Sequence, residues 1–390
     1  MNILMVIDDF FPDVMGGAGR VVNEISKRLV KRGHSVYILT RRADRSLPLQ
    51  TDIGGIRVHR YNVSFQNALV FSVSSLINAF WTFKKLSQEV AFDLINFHQP
   101  LSAFGVSLSM KAKGIPRVYT FYSSWPKEYE IRIAKRGIGF FMREWMERKI
   151  LASCSKIIVL SEYSKKQVLA AYGFAKENIE IIPGGVDTLK FKPAQDKKSL
   201  KVKFNIPLNK FFLFTLRNLV PRMGLENLIE AMAIVVKENS QVILLIGGAG
   251  VLEEKLKRLV KDLQLEDYIK FTGFIEEDRL PLYYQAADLF ILPTRELEGF
   301  GLVTLEALSC GTPVLGTPIG GTKEILGRLD GDLLFRNIDA ASMAEKILLY
   351  LSSRDLLVLG KRCREFVMAN FSWDSVAIEY ERAFAQALNI

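Results

Sequence analysis

The sequence predicts an α/β protein built as two successive doubly wound units, and three observations predict it. Short apolar runs alternate with helical patterns from end to end, which is how parallel α/β sheets are written. The alternation breaks at Pro183-Gly184-Gly185 and then restarts. The 390 residues also exceed what one ordinary core holds. The expected units are residues 1–187 and 188–373, with a terminal helix at about 374–390 packing back on the first.

In the first unit Ile3–Ile7 reads as a strand. A Gly-containing loop and a helix follow, the helix starting near Gly19 and running through Val22, Ile25 and Leu29 to Gly33. Val36–Thr40 is the second strand, and Leu94–Phe97, Arg117–Thr120 and Lys156–Leu160 continue the sheet. Ala68 to Phe83 is strongly apolar, yet it is short and carries Ser72, Ser74, Ser75 and Asn78. A membrane span needs about 20 apolar residues, so this segment reads as a buried or interfacial helix. The Lys-rich stretch from Lys190 to Lys203 reads as a connector. Phe211–Thr215, Val242–Ile246, Ile269–Thr272, Leu289–Leu292 and Pro313–Leu315 are the strands of the second unit. After Trp373, Val376, Ala377, Tyr380 and Phe384 recur at helical spacing.

The net charge of +10 is unevenly placed. Residues 1–150 hold 22 Lys and Arg against 12 Asp and Glu, and the remainder is balanced. Such a surplus is drawn to anionic lipid headgroups or phosphorylated acceptors. No basic run is interleaved with stacking aromatics, so no nucleic-acid partner is expected. Cys154, Cys310 and Cys363 are odd in number and far apart, which fits a reducing compartment and neither a disulfide framework nor a zinc site. Met1 to Phe11 lacks the basic n-region and cleavage site of a secretory signal. The expected location is the cytoplasm, with peripheral contact at an anionic membrane face.

The strongest constellation runs from Glu298-Gly299-Phe300-Gly301-Leu302-Val303 to Glu306. A strand ends at Leu292, a loop carries Glu298, and Phe300 to Ser309 has helical character. Gly299 and Gly301 let backbone approach a ligand closely. The first amides of the helix point outward and suit an anionic or hydroxyl-rich ligand. Glu298 is placed at the helix mouth as an acceptor for sugar hydroxyls. Glu306, about two turns on, is expected on nearly the same face, where it can hold a vicinal diol such as a ribose.

Here the chain resembles the retaining glycosyltransferases of group 1 (family 4), whose hallmark Glu-x7-Glu is matched by Glu298 and Glu306. The resemblance extends over nearly the whole length. It takes in Phe10-Phe11-Pro12 to Gly16-Gly17, Lys31-Arg32-Gly33-His34, Leu160-Ser161-Glu162-Tyr163-Ser164 and Ile182-Pro183-Gly184-Gly185-Val186-Asp187. Phe271-Thr272-Gly273-Phe274, Ala286-Ala287-Asp288 and Phe371-Ser372-Trp373 follow in order. The resemblance implies the GT-B architecture, two Rossmann-like domains facing across a cleft. Glu298 is then expected at the donor-sugar hydroxyls and Glu306 at the ribose. The backbone of Gly299, Phe300, Gly301, Leu302 and Val303 lines the sugar and diphosphate, and the Gly16 and Gly17 amides meet the donor phosphates. Gly247-Gly248-Ala249-Gly250 lacks a full dinucleotide fingerprint and reads as an ordinary strand-to-helix turn.

The chain departs from the family in two places. The basic pair that neutralises the departing diphosphate is replaced by Asn218 and Met223, with Arg217 and Arg222 each standing one residue earlier. Arg222 is expected to supply the missing charge, and Arg217 to assist it or to be structural. His98 stands where the family His faces the cleft, but Tyr122 replaces a second His beside the reacting sugar. Near pH 7 a Tyr donates a hydrogen bond and seldom accepts a proton as His does. His34 reads as structural, and His59 carries no motif.

The resemblance implies transfer with retention from a nucleoside-diphosphate sugar, UDP-linked before GDP-mannose, to a hydroxyl of a glycan or lipid-linked acceptor. The nucleotide sugar is a substrate and no cofactor is expected. No Asp-x-Asp sits on a suitable loop; Asp8 and Asp9 are adjacent and point apart, and Glu276-Glu277-Asp278 reads as a solvated helix start, so metal-independent transfer is expected. The alternatives are a catalytically silent partner subunit that binds a sugar nucleotide or glycolipid, and another GT-B enzyme such as a sugar-nucleotide epimerase.

Overall fold

The computed structural model describes residues 1–388 apart from 134, 175 and 354. The last two residues of the expected terminal helix therefore lie outside the described residues. The chain divides into one unit of Met1–Gly184 with Trp373–Ile390, and a second of Gly185–Ser372.

Unit 1 is built on eight strands among the described residues: β1 (Asn2–Val6), β2 (Ser35–Arg41), β3 (Gln50–Ile53), β4 (Ile56–Tyr61), β5 (Leu94–Phe97), β6 (Arg117–Phe121), β7 (Lys156–Val159) and β8 (Ile179–Ile181). Their order is β3-β4-β2-β1-β5-β6-β7-β8, parallel throughout except for β3 against β4. Central strands such as β5 are buried along their whole length, because helices cover both faces of a parallel sheet. The β3–β4 hairpin and β8 are additions to the strands that the apolar runs mark.

The helix Gly17–Lys31 buries Val22, Ile25 and Leu29, the stripe that the sequence spacing predicts, and Val21 beside them. It packs on the terminal helix Trp373–Ala387, which buries Val376, Ala377, Tyr380 and Phe384. Arg28 pairs with Asp374 at 3.0 Å, and His34 Nε2 meets Glu381 at 2.8 Å. His34 thereby ties the end of one helix to the other, a structural role.

Unit 2 carries β9 (Phe211–Leu216), β10 (Val242–Gly247), β11 (Ile269–Gly273), β12 (Leu289–Leu292) and β13 (Val314–Gly316), all parallel, in the order β11-β10-β9-β12-β13. The Lys-rich connector contains a short helix, Lys197–Lys203, which its composition does not predict. Asp196 caps it by accepting from the Lys198 and Ser199 amides, and Lys201 is buried against Asp288 at 2.5 Å. A cap and an ion pair make helix out of residues whose charge reads as loop.

The order of strands reverses between β9 and β12 in unit 2 and between β1 and β5 in unit 1. In open parallel sheets the crevice at the carboxyl ends of two such strands is where ligands bind. Arg217 follows β9, Pro293 follows β12, and His98 follows β5.

Unit 1 also buries an acid, Glu147. Glu147 accepts from the Tyr172 hydroxyl and from the Trp125 amide at 3.2 Å, and burial pushes its carboxyl from the ordinary 4.5 to about 8. The unfolded chain releases this proton near 4.5 while the folded one holds it to about 8, so folding loses stability as pH rises through that window. Glu147→Gln keeps an acceptor without the ionisation. The variant is expected to raise the unfolding temperature more at pH 8 than at pH 5; thermal melts showing an equal or reversed difference would refute the assignment.

Candidate functional site

The loop between β12 and the helix Leu302–Ser309 carries the centre of the site. Glu298 lies in this loop and is only 8% exposed, as is Arg217 just past the end of β9. The Arg217 guanidinium donates through Nη2 to Glu298 Oε2 in a short charge-assisted bond, and to Thr294 Oγ1 at 2.8 Å. Thr294 donates in turn to the same Oε2 at 3.0 Å. Both partners hold one carboxylate oxygen, and among the described residues neither of them reaches Oε1. Arg217 Nε is buried without a hydrogen-bond partner among the described residues.

The loop backbone is fixed from two sides. Leu297 sits at φ 54°, a left-handed conformation that costs a side-chain-bearing residue about 1–2 kcal/mol. Arg222 Nη1 donates to the Leu297 carbonyl at 2.9 Å, and the Arg222 carbonyl accepts from the Arg295 amide at 2.9 Å. On the other side the helix Gly320–Leu329 begins directly against the loop. Gly320 has φ +60°, and a Cβ there would lie 1.9 Å from the Glu298 carbonyl oxygen. The Gly321 amide donates to that oxygen at 3.0 Å. Gly248, at the head of the turn that reads as ordinary, works in the same way, since a Cβ there would lie 2.0 Å from the Arg217 carbonyl. That turn seats the Arg217 backbone.

The helix after the loop starts at Leu302 with Gly301 as its uncapped N-terminus, two residues later than expected. Glu298 lies in the loop before this helix, where the sequence places it, and the backbone between Glu298 and Leu302 is not helical. Glu306 is 3% exposed and accepts from the Tyr284 hydroxyl at 2.9 Å, a different partner on a different element. Gly299, Leu302 and Val303 are half-buried at the loop and first helical turn, while Phe300 is buried with its ring edge-on to Phe371.

In unit 1 His98 is 2% exposed. Its Nδ1 lies 2.8 Å from the Tyr122 hydroxyl and its Nε2 3.4 Å from Met5 Sδ. Burial pulls its pKa down to about 3, so the ring is neutral at pH 7. Burial also raises Tyr122 well above the usual phenol range, which keeps it a donor. Asp8 and Asp9 do point apart. Asp8 accepts from the Ser102 amide at 2.8 Å, and Asp9 pairs with Arg41. Gly16 and Gly17 are exposed at the start of the helix Gly17–Lys31, and nothing lies within 4 Å of a Cβ built on Gly16. The steric demand falls on Gly19, where a Cβ would stand 2.7 Å from the Asp9 carbonyl.

The structure thus joins Arg217, Arg222, Glu298 and Gly301 around one loop, joins His98 to Tyr122 in unit 1, and sets Glu306 against Tyr284. Sequence reasoning misses Thr294, Tyr284 and Gly320. The Gly320-Gly321 pair after a strand is the one visible signal for them.

The family model for glycosyl transferases group 1 matches residues 196–367, and that for glycosyltransferase family 4 matches residues 15–190. A GDP-mannose-dependent α-(1-6)-phosphatidylinositol monomannoside mannosyltransferase of Mycobacterium tuberculosis is 30% identical over 59% of this chain; the match spans 61% of that relative, less than two thirds of its length. An α-monoglucosyldiacylglycerol synthase of Streptococcus pneumoniae is 28% identical over 95% of this chain and 83% of its own. The solved sucrose-phosphate synthase of Thermosynechococcus elongatus shares the fold, with a TM-score of 0.85 at 24% identity over 100% of this chain and 99% of that one.

Gly320→Ala is expected to push the Glu298 loop out of place and lower stability by about 1–3 kcal/mol, whereas Gly16→Ala leaves the melt unchanged. Thermal melts of the two variants check this. Equal melting of Gly320→Ala and the parent would mean that the loop is not braced from this side.

Proposed function

Because the chain belongs to the group 1 (family 4) glycosyltransferases, we propose that it moves a sugar from a nucleoside-diphosphate sugar to a hydroxyl of a glycan or lipid-linked acceptor, with retention at the anomeric carbon. The single observation that carries the site assignment is the half-occupied carboxylate of Glu298. Arg217 and Thr294 take Oε2, and Oε1 is left as an acceptor for a donor-sugar hydroxyl. A lone carboxylate would repel an incoming diphosphate; paired with Arg217 it adds little net charge. Leaving one end of a buried hydroxyl recogniser unpaired is costly, and that cost is the basis of discrimination between sugars.

In the transfer step the acceptor oxygen bonds to the anomeric carbon on the face from which the diphosphate departs. The bond from that carbon to the phosphate oxygen breaks, and the leaving phosphate takes the acceptor proton. The protein's share is positioning and charge stabilisation. His98, held neutral by burial, orients Tyr122 and takes no proton itself. Arg222, which is partly exposed beside the loop, supplies positive charge to the departing diphosphate. The uncapped amides at Leu302 and Val303 add to it. With those charges in place the reaction is proposed to need no metal ion. One relative is named for a phosphatidylinositol monomannoside and the other for the synthesis of a glucosyldiacylglycerol, which supports a lipid-linked acceptor; the proposed place of work is the cytoplasmic face of a membrane. One of them is named for GDP-mannose, so donor assays need both UDP-linked sugars and GDP-mannose.

Purified protein given each donor is expected to release nucleoside diphosphate with at least one of them. NMR of the product is expected to show the donor's anomeric configuration kept. An inverted product would overturn the mechanism, and activity abolished by chelator and restored by magnesium or manganese would overturn metal independence. Arg222→Ala is expected to lower kcat by roughly 10- to 150-fold, the worth of a hydrogen bond to a charged group. Near-parental turnover in Arg222→Ala would transfer that role elsewhere.

A further inference from the structure

The helix Ala68–Glu89 buries Ser75, Ala79, Phe83 and Leu86, and its other side is also apolar. Leu69, Val73, Ile77 and Trp81, four residues apart, stand 45–70% exposed. A second helix, Ile138–Ala152, carries another exposed apolar stripe, at i, i+3, i+4 and i+7. Its Ile138, Phe141, Met142 and Trp145 are 47–88% exposed. Both helices pack on the short helix Pro100–Ser107, where Phe104 meets Trp145 at 5.5 Å between ring centroids. Two apolar stripes thus flank one buried helix of unit 1. Scattered apolar residues on a surface are ordinary, but stripes at helical spacing on neighbouring helices are not.

Charge decides what meets them. Lys84 and Lys85 continue the first stripe, Arg148 and Lys149 continue the second, and all four are exposed. Lys111, at the segment after the middle helix, reaches back to the Ser87 carbonyl at 2.8 Å. A second copy of this chain would bring the same cations face to face in a twofold contact. A bilayer with anionic headgroups takes both features at once: acyl chains receive the apolar stripe, headgroups receive the cations, and tryptophan suits the boundary between them. No helix among the described residues is long and apolar enough to cross a membrane, so the contact lies along the surface.

We propose that the exposed faces of the helices Ala68–Glu89 and Ile138–Ala152 form one docking surface for an anionic phospholipid bilayer. The inference deepens the lipid-linked acceptor reading and rests on it for its purpose, while the binding itself is measured without turnover.

The test is flotation of the full chain with two sets of vesicles, pure phosphatidylcholine and phosphatidylcholine with roughly one third phosphatidylglycerol. The parent is expected to float with the anionic vesicles and at least about tenfold less with the neutral ones. Ile77→Glu with Phe141→Glu is expected to lose flotation on both; Lys84→Glu with Lys85→Glu is expected to lose the preference for phosphatidylglycerol. Melting curves and donor hydrolysis, run in parallel, show that the variants stay folded and keep their chemistry apart from the membrane. A parent that does not float with anionic vesicles overturns the proposal, as does an Ile77→Glu, Phe141→Glu variant that floats like the parent. A dimer in sedimentation velocity that this variant dissociates overturns it too, and gives the surface to a second copy.

Discussion

A buried guanidinium holds a buried carboxylate at the carboxyl ends of two neighbouring parallel strands. Neither Arg217 nor Glu298 belongs alone in a protein interior, since each buried charge loses several kcal/mol of hydration. Together with Thr294 they form a compensated group, and breaking such a group by removing one partner costs about 3–5 kcal/mol. The pair therefore fixes where the Glu298 carboxylate points. Everything around it serves that placement: Arg222 grips the strained turn at Leu297, Gly320 lets a helix approach to contact, and Gly248 seats the Arg217 backbone.

The two carboxylates of the Glu-x7-Glu motif receive different treatment. Glu298 is paired with a cation and Glu306 with a phenol hydroxyl. A carboxylate beside a guanidinium tolerates an anionic ligand nearby. In unit 1 burial leaves His98 and Tyr122 a pair with little basicity, joined by a hydrogen bond of 2.8 Å.

Much of the fold is legible in the sequence. Parallel strands buried on both faces are mainly apolar, so Leu289–Leu292 and Leu94–Phe97, whose polar Asn96 is buried against Thr120, can be read to the residue. What escapes is held together by pairwise contacts that leave a weak periodic mark. The β3–β4 hairpin lies at a sheet edge with Thr51 and Asp52 in its strand, and only the Gly54-Gly55 turn announces it. The helix Lys197–Lys203 depends on Asp196 and Asp288, one next to it and one far along the chain. At the site, the motif locates Glu298 and Glu306, and the helix that carries Glu306 starts at Leu302, two residues later than its apolar pattern suggests. Arg217 is legible as a charge near the expected pair, and its partner is not. A contact across 81 residues has no local signature.

The most direct measurement is a crystal structure of the chain soaked or grown with a hydrolysis-resistant nucleotide sugar. The hexose is expected within hydrogen-bond distance of Glu298 Oε1, with the Arg217 bond to Oε2 retained. Nucleotide-sugar density away from the β9 and β12 ends, or a hexose that leaves Glu298 untouched, would contradict that placement.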